Sequence, residues 1–168
     1  MTAVADGLFQ QVRLKRIERG DLLHVDFGVR SSGIVADQQK MAYVLREGET
    51  TPPAGLVRAF MYSTRAAAII LEEMQVGRTG AAMKLAAETR TSADRIHTLV
   101  YSHVQGYWVH DAGMWAVHDW PERYGDHPRS TLKDGDWVSL EFAVTAAVPE
   151  WDGQAVTIMR EEDTRITS

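Results

Sequence analysis

The chain has 168 residues, 45% of them hydrophobic and 24% charged, enough for a single domain with a real hydrophobic core and too apolar for a disordered segment. Its net charge of −5, with no basic run interleaved with aromatics, argues against nucleic acid as a partner. Cysteine is absent, which excludes disulfides, thiolate zinc sites and cysteine nucleophiles and leaves Asp, Glu and His to hold any metal.

No apolar run in the sequence approaches a spanning length, and the N-terminus lacks the basic-apolar-small order of a signal peptide, so a cytoplasmic protein away from membranes is expected. Residues 1–19 read as a leader and an edge segment, with Val12, Leu14 and Ile17 fitting neither the helical nor the strand period. From Gly20 onward the pattern becomes regular. Leu22, Leu23, Val25, Phe27 and Val29, then Ile34, Val35, Met41, Tyr43 and Val44, predict two strands joined near Ser31-Ser32-Gly33. Each strand carries an acid. A two-residue loop at Ser31-Ser32 would set Asp26 directly opposite Asp37, whereas a loop at Ser32-Gly33 would make them diagonal neighbours on one face. Like charges so placed repel, which calls for a cation or a shared proton between them unless both simply face solvent.

Pro52-Pro53 precedes a helical repeat of Leu56, Phe60, Ala67, Ile70-Leu71 and Met74, which Gly77 is placed to stop. Thr79 is an adequate N-cap for a second, shorter helix through Ala82 to Ala87, and the polar segment Thr89–Asp94 reads as a connector. Ile96–Tyr101 returns to strand character. A tract rich in histidine, aromatics and glycine follows, containing His103, His110 and His118. Glu122–Arg129 reads as an exposed loop, and Lys133-Asp134-Gly135-Asp136 as a turn ahead of a strand over Trp137–Val148. Glu141, flanked by Leu140 and Phe142, is then partly desolvated and needs a positive partner, a proton or a metal. After a turn at Pro149–Gly153, Gln154–Arg160 forms another strand ending in Glu161-Glu162-Asp163. Alternation puts Ile158, Arg160 and Glu162 on one face and Met159 and Glu161 on the other, so only one of the two glutamates can face a shared site.

The segment Gly20-Asp21-Leu22-Leu23-His24-Val25-Asp26-Phe27-Gly28, with Asp37 after it, resembles the first metal-binding hairpin of the pita-bread metallopeptidases. That family includes methionine aminopeptidase, Xaa-Pro aminopeptidase and prolidase. Further similar segments follow in the family's order: the tract around His110, Ser139-Leu140-Glu141 after Leu132-Lys133-Asp134-Gly135, and Arg160-Glu161-Glu162-Asp163. Tyr101-Ser102-His103 through Gly113 and Val148-Pro149-Glu150-Trp151 are most similar to the Xaa-Pro peptidase branch.

The resemblance implies an α+β pita-bread fold over residues 20–168, with a curved, mostly antiparallel sheet, covering helices and an incomplete first half. It implies two divalent ions (Mn, Co, Fe or Zn, with manganese foremost) held by Asp26, Asp37, His110, Glu141 and Glu162, with Glu161 competing for the last position. Glu141 would also serve as general base, and His103 and His118 would position substrate or protonate the leaving amine. The family's second histidine, seven positions after the metal histidine, would fall on Val117, one residue before His118. The implied activity is attack of a metal-activated bridging hydroxide on a peptide carbonyl, with a peptide or small amide as substrate and a homodimer as the assembly. A creatinase-like C–N hydrolase or lyase on the same fold, or a catalytically silent interaction module, are the alternatives.

Overall fold

A computed structural model describes residues 16–105 and 115–168. Part of the untyped N-terminal segment and His110 therefore lie outside the described residues.

The first two strands are β1 (Leu22–Ser31) and β2 (Ile34–Tyr43), with Ser31 paired to Ile34, so the turn is Ser32-Gly33. Both turn residues have positive φ, 51° and 81°, which gives the hairpin a turn whose twist matches its strands. This settles the register. Asp26 lies opposite Gln39 and Asp37 opposite Gly28, making the two acids diagonal neighbours.

Helix α1 (Ala54–Glu73) follows Pro53, and its apolar repeat buries Leu56, Ala59, Ala66, Ile69 and Ile70. Its first turn is capped from a distance, because the Gly55 N–H donates to both carboxylate oxygens of Glu150 at 3.1 Å. Only glycine allows that approach, since a Cβ there would stand 2.7 Å from Pro149 Cδ. By length and mean hydropathy, 1.2, α1 matches a membrane span, contrary to the sequence expectation. Its buried residues nevertheless pack on the sheet, as those of a core helix do.

Helix α2 (Gly80–Ala93) begins where Thr79 Oγ1 accepts from the Ala82 N–H. It absorbs most of the polar segment expected to be a connector. Arg90 there pairs with Glu72 and Glu73 of α1, and Thr89 Oγ1 donates to the Leu85 carbonyl at 2.7 Å, so tertiary contacts override weak propensity. The buried Lys84 donates to Glu88 and to the Val100 carbonyl while Glu88 accepts from the Val100 N–H, tying α2 to the following strand.

The remaining strands are β3 (His97–Val100), β4 (His103–Val104), β5 (Trp137–Val148) and β6 (Gln154–Arg165). The loop expected at Glu122–Arg129 contains a short helix, α3 (Pro121–Tyr124), and a 3-10 turn over His127–Arg129. A second 3-10 turn, Pro149–Trp151, links β5 to β6, which runs past the expected end at Arg160 and includes the acids.

The sheet order is β1-β2-β6-β5-β3, with β4 also on β5, and all pairings among the described residues are antiparallel. Its two faces differ in chemistry. Val138, Leu140, Phe142 and Val144 of β5 pack with Ala66, Ala67, Ile70, Met83 and Ala87 of α1 and α2 in the main core. Burial of each large apolar side chain there contributes roughly 1.5–3 kcal/mol. The alternate residues of β5, Ser139 and Glu141, point to the other face.

Candidate metal centre

Register brings the polar face together. Asp26 of β1 is paired with Gln39 of β2, Gln39 with Glu161 of β6, and Glu161 with Glu141 of β5, forming one row across four strands. Asp37, two residues before Gln39, and Ser139, two before Glu141, share this face. His103 of β4 is paired with Ser139 and so enters the group from the far side. Asp37, Gln39, His103, Ser139, Glu141 and Glu161 are all buried, whereas Asp26, on the outer strand, is exposed.

The segment bearing His103 is pinned to β5. The Tyr101 N–H donates to the Glu141 carbonyl at 3.1 Å, and Ser102 Oγ both donates to that carbonyl at 3.2 Å and accepts from the Glu141 N–H at 3.0 Å. The Trp115 and Ala116 N–H groups in turn donate to the Ser102 carbonyl, at 3.2 and 2.8 Å. Backbone bonding thus fixes where the imidazole can reach.

His103 Nδ1 lies 3.3 Å from the Val104 carbonyl, and Nε2 lies 3.2 Å from Glu161 Oε1, 3.5 Å from Asp37 Oδ2 and 3.7 Å from Glu141 Oε2. With Nδ1 turned to the Val104 carbonyl, Nε2 is the ring atom presented to the carboxylates. Ser139 Oγ also donates to Glu161 Oε1. Glu161 Oε2 is buried with no hydrogen-bond partner among the described residues. On the other side, Gln39 Nε2 donates to Glu141 Oε1 at 2.5 Å, and Gln39 Oε1 is 3.0 Å from His24 Nε2.

These surroundings shift the titrations. Burial, reinforced by the charge of Glu161, pushes Glu141 from 4.5 up to about 8, against the opposing influence of His103 and the Gln39 hydrogen bond. For His103, burial is the largest single influence and lowers the value. Hydrogen bonds to Glu161 and Val104, with the charges of Glu141 and Glu161, outweigh it and leave the imidazole raised. Glu161 moves the other way: burial raises it, but hydrogen bonds from His103 and Ser139 and the His103 charge prevail, and it stays lowered. An imidazole raised in this way, set among three carboxyl groups, marks a place that favours positive charge.

The residues present fit a divalent ion. One ligand atom each from Asp37, His103 and Glu161 lie within 4.8 Å of one another, and hard oxygen with imidazole nitrogen is a donor set for Mn, Co, Fe or Zn. The buried, unpartnered Glu161 Oε2 is an acceptor aimed into this group. Glu141 stands beside it, and its carbonyl is tied to Ser102.

The structure places the two glutamates offered for the last ligand position on opposite faces of the sheet. Glu162 is paired with Leu140 on the helix-facing side and binds Lys40 at 2.8 Å, whereas Glu161 is the glutamate that faces His103. The alternation read from sequence already separated the two glutamates. The histidine roles shift as well. His103, expected beside the substrate, is the imidazole among the acids, while His118 is exposed and joins no hydrogen bond or ion pair of the group among the described residues. A usable signal existed: His110 lies seven positions after His103, the spacing that His118 misses when counted from His110. Gln39, Ser102 and Ser139 carried no such signal, because their roles arise from cross-strand register alone.

A family model for metallopeptidase family M24 matches residues 5–168. No curated protein sequence matches the chain. Among solved structures, the fold is similar to methionine aminopeptidase from Rickettsia prowazekii, with a TM-score of 0.65 and 18% identity over 91% of this chain and 63% of that one. It is similar to X-Pro aminopeptidase from Thermotoga maritima, with a TM-score of 0.66 and 18% identity over 90% of this chain and 38% of that one. Prolidase from Pyrococcus horikoshii gives 0.60 and 22% identity over 91% of this chain and 39% of that one. The chain thus spans just under two thirds of the first of these proteins and about two fifths of the other two, and its sheet and helices form part of the pita-bread fold. With the family match covering nearly the whole sequence, the chain belongs to metallopeptidase family M24.

Proposed function

We propose that this chain carries the metal centre of a dinuclear-metal-dependent hydrolase of the Xaa-Pro aminopeptidase or dipeptidase kind, acting on a peptide or small amide. The observation that carries the reading is the convergence of Asp37, His103 and Glu161, with Glu141 3.7 Å from the same imidazole nitrogen. Family membership supports hydrolysis, and the Xaa-Pro branch is proposed on the sequence resemblance of Tyr101-Ser102-His103 and Val148-Pro149-Glu150-Trp151.

Asp37, His103, Glu141 and Glu161 would hold the first ion, and Asp26 would supply a carboxylate for a second at the outer end of the row. Divalent ions bound at such a donor set acidify water and polarise a carbonyl. The chain's own residues do the rest. Glu141 presents Oε2 toward the group and Oε1 to the Gln39 amide, which orients it to take a proton from the attacking water and hand it to the leaving amine. Ser139 and the Val104 carbonyl fix the Glu161 carboxylate and the His103 ring, so little reorganisation is needed when charge develops. Tyr101, half-buried with its hydroxyl 3.8 Å from Met159 Sδ, walls the same face.

The test is hydrolysis of Xaa-Pro dipeptides and longer Xaa-Pro peptides against matched non-proline controls, using protein loaded with Mn or Co. Proline-dependent cleavage lost in Glu141→Gln supports the reading. A fully loaded centre that cleaves creatine-like amides but no Xaa-Pro bond would shift it to the same-fold C–N hydrolases.

A further inference from the structure

One carboxyl group on the polar face has no part in the centre described above. Asp163 of β6 is paired with Ser139, two places beyond Glu161, so it stands on the side of the sheet that carries Glu141, Glu161 and His103. It is not among the groups whose ligand atoms converge, which are Asp37, His103 and Glu161. Its Oδ1 instead accepts two hydrogen bonds, from the Asp37 backbone N–H at 3.2 Å and from Gln105 Nε2 at 2.7 Å. A carboxylate oxygen has two lone pairs and can hold both donors at once.

The weight of these two bonds depends on how β2 meets β6. The strands are paired at Gln39 and Glu161, and the same register carried two residues further would set Asp37 opposite Asp163. Among the described residues the ladder does not continue there, and the Asp37 N–H turns to a side chain instead. On this side Asp37 is therefore held by the Asp163 carboxyl group and not by a backbone carbonyl. The second donor arrives from the opposite direction. Gln105 directly follows β4, the strand that carries His103, and its own N–H donates to the Trp137 carbonyl of β5 at 2.9 Å. One oxygen thus joins the strand that presents Asp37 to the segment that presents His103, and His103 Nε2 lies 3.5 Å from Asp37 Oδ2. Backbone pairing does not join β2 to β4 among the described residues, so this side-chain bridge links them across β6.

We propose that Asp163 is a positioning residue of the metal centre: its Oδ1, shared between the Asp37 N–H and the Gln105 amide, sets the distance at which Asp37 and His103 face one another. Gln105 acts with it from the side of β4. This rests on the metal-centre part of the proposed function and is independent of which bond is hydrolysed. Both residues act through the ligands and not on the ion, the kind of outer contact whose loss costs roughly 10–100-fold in metal affinity.

The experiment is titration of the chelator-stripped full chain with Co(II) alone, read by calorimetry for affinity and by the visible ligand-field bands for the geometry around the ion. Asp163→Ala removes both bonds and is expected to weaken cobalt binding by at least about tenfold and to shift the bands. Asp163→Asn keeps an oxygen that accepts both bonds, and is expected to restore the wild-type bands with an affinity within about threefold of the wild type. Gln105→Ala, which spares the bond to Asp37, moves both readouts in the same direction by a smaller factor. In the metal-free chain, hydrogen exchange at the Asp37 amide is faster in Asp163→Ala than in the wild type or Asp163→Asn. Wild-type bands and affinity in Asp163→Ala, or an Asp163→Asn chain as impaired as Asp163→Ala, would overturn the proposal. Should Asp163→Ala fail to fold, Gln105→Ala decides, and unchanged cobalt bands there would overturn it. A wild-type chain that binds no cobalt would overturn the metal centre and this proposal together. Bands altered in Asp163→Ala and restored in Asp163→Asn support it even in a chain that hydrolyses no peptide, a result that would remove the peptidase reading alone.

Discussion

In the metal-free chain Glu141 is a liability whose size depends on pH. Its carboxyl is 7% exposed and is pushed from 4.5 up to about 8, chiefly by burial and then by the Glu161 charge. A carboxyl whose folded-state value lies above its unfolded one stabilises most while it stays protonated in the fold. That contribution is complete below about pH 4.5 and is lost as pH rises to about 8. At about 1.4 kcal/mol per pH unit this amounts to on the order of 3–5 kcal/mol, a large share of a domain's stability. His103 has the same sign, its stabilisation fading as pH rises through its raised value, while Glu161, held low, contributes stability that is lost on acidification. The assay is urea unfolding in excess chelator at pH 5.5 and pH 8.5 for the wild-type chain and for Glu141→Gln. The wild type should lose several kcal/mol between the two conditions, and Glu141→Gln should keep most of it, because the amide has the same shape and no proton to lose. An equal loss in both proteins would refute the assignment of that pH dependence to Glu141.

Three further outcomes follow from the same geometry. Glu161→Gln should weaken binding of the first Mn(II) by about 100-fold or more while Glu162→Gln changes it by less than about twofold, since only Glu161 faces the group; equilibrium dialysis measures both. Gly80→Ala should destabilise the fold by about 2–4 kcal/mol in thermal unfolding, because a Cβ there collides with the Trp115 carbonyl. Lys84→Met should cost about 2–4 kcal/mol, since it leaves Glu88 and the Val100 carbonyl without their buried cation; the double variant Lys84→Met with Glu88→Gln should recover part of the loss.

What the sequence revealed and what it hid divide along physical lines. The hairpin, α1 and the strand over Trp137–Val148 were legible because a buried face imposes a period on local residues. The turn at Ser32-Gly33 was one of two registers the residues allowed, and only the pairing decided between them. The C-terminal half of α2 was missed because Thr89–Asp94 has weak helical propensity and is held by Glu72 and Glu73, seventeen or more positions away. At the centre, Asp37 and Glu141 were visible as acids out of place in apolar strands. Glu161 was set aside for Glu162 although alternation had already put them on opposite faces. Gln39, Ser102 and Ser139 were invisible for a different reason: an uncharged polar residue in a strand means little until the strand beside it is known.

Every role assigned to the acidic face depends on metal binding. The most direct measurement is the content of Mn or Co retained by the full chain after loading and exhaustive dialysis, compared with that of Asp37→Asn and Glu161→Gln. The expected content is about one ion or more per wild-type chain and about a tenth of that or less in either variant. A wild-type chain that retains almost none, or variants that retain as much as the wild type, would contradict it.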